Sequence, residues 1–254
     1  MNANDADTAA NPAFGDAVLE QLMQLWVRPA LAARGLDEGM LTQVSVVFTS
    51  AGPVVRVNEE TQWLGSFRAT RDVAAGEPVS ASDINDLQAL RPAEAGVGEG
   101  WAGFVTVGTE RYIAFDFRRN RDQASSLLDR AEEFLASARH ALDNGRLGAA
   151  TENAYAAVEL AVKAGMYLFD DSPPRDHKRR RDQFRAYAEL GNAPVEHSLA
   201  LDELGNARPG ARYGDGPLVL TAEQLAVHVA AVAGRIAAVR GESTHPLDDA
   251  AEAL

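Results

Sequence analysis

Apolar residues recur along this chain in two rhythms, and the change falls near residue 118. Over 14–34, Ala17, Leu19, Leu22, Leu25, Trp26 and Leu31 form a broad stripe at helical spacing, and Gly35 supplies the left-handed residue that ends a helix. The period then shortens. Residues 41–50, with Val44, Val46, Val47 and Phe48, predict a strand; Gly52 and Pro53 punctuate it, and 54–58 predicts the next. Residues 83–90 predict a short helix opened by Ser82 or Asp83. A glycine-rich loop covers 92–100, and 104–117 predicts a β-hairpin whose arms alternate about Gly108. Residues 13–118 thus predict an α+β domain with a mainly antiparallel sheet, preceded by a disordered tail over 1–12.

From residue 120 onward the pattern is helical throughout. Leu127, Ala131, Phe134, Leu135, Ala138 and Leu142 define a helix over 122–143, stopped by Asn144 and Gly145. A second, over 147–169, carries so many alanines on one face that close helix–helix approach is expected. Pro173 and Pro174 break it. A basic helix over 177–190 and a short helix over 195–205 follow, then a Pro/Gly turn. The last helix, 222–240, sets Leu225, Val229, Val232, Ile236 and Val239 on one face behind a Thr221/Gln224 capping box. Amphipathic helices with short connections predict an all-α four/five-helix up-down bundle over 119–241, with a flexible acidic tail over 242–254.

Composition narrows the function classes. A net charge of −13 disfavours broad, non-specific binding to nucleic acid or anionic membrane, so any anion-binding surface is local. With no cysteine, disulfides, thiolate metal sites and cysteine nucleophiles are excluded, and a cytoplasmic location is expected. The polar, acidic start is unlike a signal peptide, and no apolar run is expected to span a bilayer, so no membrane partner is expected. Of the 24 basic residues only Lys163 and Lys178 are lysines. Such skew reflects genome composition, so each arginine is discounted as a functional signal.

Three clusters carry candidate chemistry. Arg208, Arg212 and Tyr213 stand in the Pro/Gly turn before the last helix. The stretch His177, Lys178, Arg179, Arg180, Arg181 and Arg185 offers a face for a phosphate backbone, with Phe184 or Tyr187 available to stack on a base; the alternative is a solvated or inter-subunit helix face. Glu152 and Glu159 lie on the alanine-rich helix, where either can orient Arg208 or Arg212; Glu159 and Lys163 alternatively form an exposed i,i+4 pair. Arg118, Arg119 and Arg121 fit a polar hinge or a second anion patch. Residues 73–84 resemble the short loop of SAF-type modules that bind sugars or anions, or else form a plain connection. No His-Glu-x-x-His, P-loop or Gly-x-Gly-x-x-Gly motif is present, so neither a metal nor a cofactor is expected.

The helical half resembles the HEPN domain family over about 120–240. The resemblance rests on Phe134 to Leu142 as first helix and on Ala149 to Ala164, with its alanine face and internal glutamates, as second. His177 with Phe184 downstream corresponds to a post-loop histidine and helix. Leu204, Arg208, Arg212 and Tyr213 correspond to the leucine-then-arginine segment before the last helix. The resemblance implies a homodimer packed across a two-fold and a metal-independent RNA-cleaving site at the dimer cleft, in toxin–antitoxin or defence settings. Active members carry an arginine, four to six residues, then a histidine: the cation stabilises the phosphorane-like transition state and the imidazole moves a proton. Here, four residues after Arg208, the partner position holds Tyr213, whose phenol ionises near pH 10 and is a poor base at neutral pH. A literal spacing match, Arg240 to His245, is treated as coincidence. The expectation is therefore a binding or assembly module, for RNA or a protein partner, without nuclease activity. The alternatives are a ribonuclease using Arg208, Arg212 and Tyr213, and a nucleotide or anion sensor using the basic helix.

Overall fold

In the computed structural model, residues 12–74, 76–213 and 220–247 are described; the tail over 1–11, most of the tail beyond 242 and the connection over 214–219 lie outside them. The chain divides into two compact units, 1–118 with 245–254, and 119–244.

The first unit opens with α1 (Pro12–Leu22), a π-turn over Met23–Val27 and α2 (Arg28–Arg34), which ends on Gly35 with φ at +68°. Six strands follow: β1 (Gln43–Thr49), β2 (Gly52–Val57), β3 (Trp63–Ala69), β4 (Ile84–Pro92), β5 (Gly100–Val107) and β6 (Glu110–Asp116). Four of them form an antiparallel sheet in the order β2-β1-β5-β6, and β3 pairs with β4 in a separate two-stranded ribbon. Alternation sorts the two faces of the larger sheet. Val44, Val46, Ala102 and Phe104 meet Leu22, Met23, Val27 and Leu31 of the helix, while Val47 and Trp101 face the other way, toward Ala95 and Trp63. Gly103 is required where β5 crosses β1, because a Cβ there would stand 2.0 Å from the Val44 carbonyl oxygen.

The short helix expected over 83–90 is instead β4, preceded by a single 3-10 turn at Ala81–Asp83. Two register shifts explain the misleading pattern. In the ladder Ile84 opposes Ala69, Leu87 opposes Phe67 and Leu90 opposes Gly65, with irregularities between Ser66 and Phe67 and between Arg68 and Ala69. Each bulge adds a residue to β4, so apolar side chains three apart keep in step with β3 while imitating helical spacing. The strand β3 had not been anticipated.

The second unit contains α3 (Arg121–Asp143), α4 (Leu147–Tyr167), α5 (His177–Glu189), α6 (Val195–Tyr213) and α7 (Ala222–Glu242). Gly145, with φ at +66°, makes the tight link from α3 to α4. The inner face of α4 is rich in alanine: Ala150, Ala154, Ala157, Ala161 and Ala164 are fully buried beside Val158 and Val162, and neighbouring helices close onto it. Leu225, Val229, Val232, Ile236 and Val239 of α7 enter the same core, and Thr221 and Gln224 cap that helix reciprocally at 3.2 and 2.9 Å. By length and composition α7 does meet the requirement for a membrane span, contrary to expectation, although its apolar face lines the core of this unit. Asn120 holds the start of α3 to the end of α4, donating from Nδ2 to the Tyr167 carbonyl at 3.0 Å and to Asp171 at 2.8 Å.

Candidate functional site

The Pro/Gly turn expected around Arg208 is helix. α6 continues through Pro209 and Gly210 to Tyr213, because Leu201, Leu204 and Ala207 extend its buried face into that segment. The consequence is geometric. Arg208 and Arg212 are now one turn apart on one side of a helix and reach the same partner. Arg208 Nε lies 3.1 and 3.2 Å from the two oxygens of Glu152, and Arg212 Nη1 donates to Oε1 at 3.3 Å. Burial alone would lower the pKa of Arg208, but its hydrogen bond and charge pairing with Glu152 outweigh that and raise it.

On α4 the residues 152, 155 and 159 lie on one stripe, three and four apart. Tyr155 takes the middle position, its ring under the Arg208 guanidinium, with Cζ 4.9 Å from the ring centre. Its hydroxyl donates to Glu159 Oε1 at 3.3 Å, and burial, reinforced by that carboxylate, pushes the phenol pKa above its usual value. Tyr155 is not among the residues that sequence singles out, although its spacing from both glutamates carries the signal.

Glu159 serves α5 rather than the arginines of α6. It accepts from Arg180 Nη1 at 2.6 Å and pairs with Nδ1 of His177. Arg180 is not available to a ligand, as had been expected of it. It is buried, and its Nη2 is used by the carbonyls of Pro174 and Arg175 at 2.8 and 3.2 Å, so it fixes the loop that enters α5. Asp176 caps that helix through the Arg179 N–H at 2.8 Å. The rest of the basic stretch separates by helix face. Arg181 turns toward α6, donating to Asn206 at 3.2 Å beside Gly205. A Cβ on Gly205 would stand 2.8 Å from Arg181 Nη1 and 3.1 Å from the Tyr155 ring. Arg185 is bound to Asp202 at 2.7 Å, while His177, Lys178 and Arg179 are exposed.

The structure thus brings Glu152, Tyr155, Arg181, Arg208 and Arg212 together, with Glu159 joining them to His177 and Arg180. Tyr213 ends α6 two-thirds exposed, with the Arg212 guanidinium 5.5 Å from its ring centre. Lys178, Arg179 and Arg185 stand apart from the array. Arg240, first member of the coincidental spacing match, is committed to Asp129 and Glu132 of α3, both at 2.9 Å. In the first unit, the loop likened to SAF modules is closed by Arg71, which binds Asp83 and Glu77 at 2.7 and 2.8 Å; that guanidinium, with the Ser80 N–H and hydroxyl, lowers the Asp83 pKa. Among the described residues no group of three or more His, Cys, Asp or Glu side chains is placed to hold a metal ion.

A five-helix unit whose second helix carries carboxylates facing arginines on the fourth defines a helical-bundle domain with a polar array on its flank. The family model of the HEPN domain matches residues 124–239, the stretch that forms α3 to α7. No family model matches the N-terminal half. No curated protein and no solved structure matches the chain.

Proposed function

We propose that this protein is a homodimeric, cytoplasmic RNA-binding module that holds single-stranded RNA along the Arg181–Arg208–Arg212 surface without cutting it. One observation carries the reading: the two guanidinium groups of α6, Arg208 and Arg212, share the single carboxylate Glu152, and a third, Arg181, is bonded beside them to the neutral amide of Asn206. The array is therefore locally cationic in a chain of net charge −13, which suits a phosphodiester backbone. Tyr213 presents an exposed ring beside Arg212 for base stacking. HEPN domains often occur in RNA-binding and nuclease systems of defence and toxin type, and a role in such a system, with a protein partner, accords with this reading. Pairing of two copies through the helical unit is supported by exposed Leu190, Val195 and Leu199, apolar side chains grouped around the start of α6. Anisotropy of a labelled RNA oligomer tests the binding: affinity should fall steeply with salt, and Arg212→Ala should reduce the salt slope by about one counterion.

One geometric detail favours a second reading, metal-independent RNA cleavage. Glu159 holds the Nδ1 side of the exposed His177 imidazole, leaving the Nε2 side to face a substrate, and the same carboxylate takes the hydroxyl of the tyrosine on which Arg208 rests. His177 would then supply the proton transfer for which Tyr213 is unsuited. RNA cleavage in EDTA, lost in both His177→Ala and Arg208→Ala, would establish this reading in place of the first.

A further inference from the structure

Away from the arginine–glutamate array, α4, α5, α7 and the residues just after α4 line a pocket of about 140 Å³ that is open on one side. Gly165, Met166, Phe169, Phe184 and Tyr187 make its walls largely apolar, and the Arg235 guanidinium forms part of the lining. Arg235 is 3% exposed, yet its Nε and Nη1 are buried without hydrogen-bond partners. The neighbouring carboxylate, Glu242, stands 3.7 Å from Nη1, beyond hydrogen-bonding distance. What holds the group is this long ion pair together with shape and ring contact. Its Cζ lies 5.0 Å from the centre of the Phe184 ring, and Nη2 occupies the space a side chain at 165 would take, since a Cβ on Gly165 would come within 2.2 Å of it.

An arginine does not neutralise by losing its proton under any ordinary condition. A buried guanidinium with unused donors at the wall of a cavity is therefore a receptor for negative charge. The pocket's chemistry limits which anion. One guanidinium matches one carboxylate, through paired N–H···O bonds, whereas a dianionic phosphate would find no second cation among the lining residues. Asp170, the lining carboxylate, lies on the exposed side of the cavity and accepts from the Ser172 N–H at 2.8 Å. The apolar remainder has the size of a single ring, since a void of roughly 150 Å³ holds a benzene-sized molecule. We infer that this cavity is a binding site for a small aromatic or similarly flat monocarboxylate, with its carboxylate on Arg235 and its ring among Met166, Phe169 and Phe184.

Calorimetric titration of the full chain with sodium benzoate tests the inference, with benzyl alcohol and inorganic phosphate as the neutral and non-aromatic controls. Benzoate should bind one per chain, and each control should bind at least about tenfold more weakly. Arg235→Met should lose benzoate binding. Should that variant fail to fold, Met166→Trp, which fills the cavity and leaves Arg235 in place, should show the same loss. Absence of benzoate binding, equal binding of benzyl alcohol or phosphate, or benzoate binding unchanged in Met166→Trp would overturn it.

Discussion

Glu152 and Arg208, 56 residues apart, meet through both carboxylate oxygens at 3.1 and 3.2 Å and fasten the middle of the bundle to the last turns of α6. The pair is neither buried nor free, with side chains 28% exposed on Arg208 and 31% on Glu152. Water screening therefore discounts its contribution, while the shared bond to Arg212 adds to it. Glu152→Ala should cost about 1 kcal/mol in the urea unfolding free energy followed by far-ultraviolet circular dichroism. Ala substitution at Glu133, an exposed acidic residue of α3, should leave the same measurement within about 0.5 kcal/mol.

Arg180 is the structural member of the basic stretch. Its removal strands Glu159 on a half-buried helix face and frees two carbonyls of the loop before α5. Arg180→Ala should destabilise the protein by about 3 kcal/mol, the scale of breaking a buried ion pair. Lys178→Ala, two residues away and exposed, should have almost no effect on the urea unfolding free energy.

Those two neighbours show what could be read from sequence and what could not. The two textures of the chain, the hairpin about Gly108, the capped α7 and the alanine face of α4 follow from local spacing and were legible. The division of labour within one basic run was not. Arg180 and Arg181 look alike in a list of residues, and only the 100° turn between them sends one into the α4–α5 contact and the other toward Asn206. The segment from Leu204 to Tyr213 was misread because Pro209 and Gly210 outweighed the buried stripe that carries the helix through them. In the first unit, bulges gave β4 a helical spacing that no sequence period reveals.

His197 is buried on α6, and burial, followed by the charge of nearby Arg235, lowers its pKa below the ordinary value. In the unfolded chain the imidazole ionises near pH 6.5. The stability this neutral histidine allows is thus fully present above that pH and is lost as pH falls toward the lower folded-state pKa. Unfolding free energy should decline as pH falls below about 6.5, with a slope from this group of up to about 1.4 kcal/mol per pH unit. His197→Gln should flatten that part of the curve; an unchanged slope would show that another group titrates.

Gly103 places a similar constraint on the first unit. A methyl group there collides with the Val44 carbonyl, a backbone atom with no rotamer to escape through. Gly103→Ala should destabilise this unit by about 3 kcal/mol. All three tryptophans, Trp26, Trp63 and Trp101, lie in it, so its unfolding is read by tryptophan fluorescence.

The central claim is that the α6 arginines bind RNA and do not cleave it. The most direct test incubates end-labelled single-stranded RNA with purified wild type and Arg208→Ala in EDTA, then measures the bound fraction on a native gel and the intact fraction on a denaturing gel. The account predicts a shifted, fully intact RNA with wild type and a weaker shift, by about tenfold in affinity, with Arg208→Ala. RNA cut by wild type and spared by Arg208→Ala would contradict it, as would the same shift from both proteins.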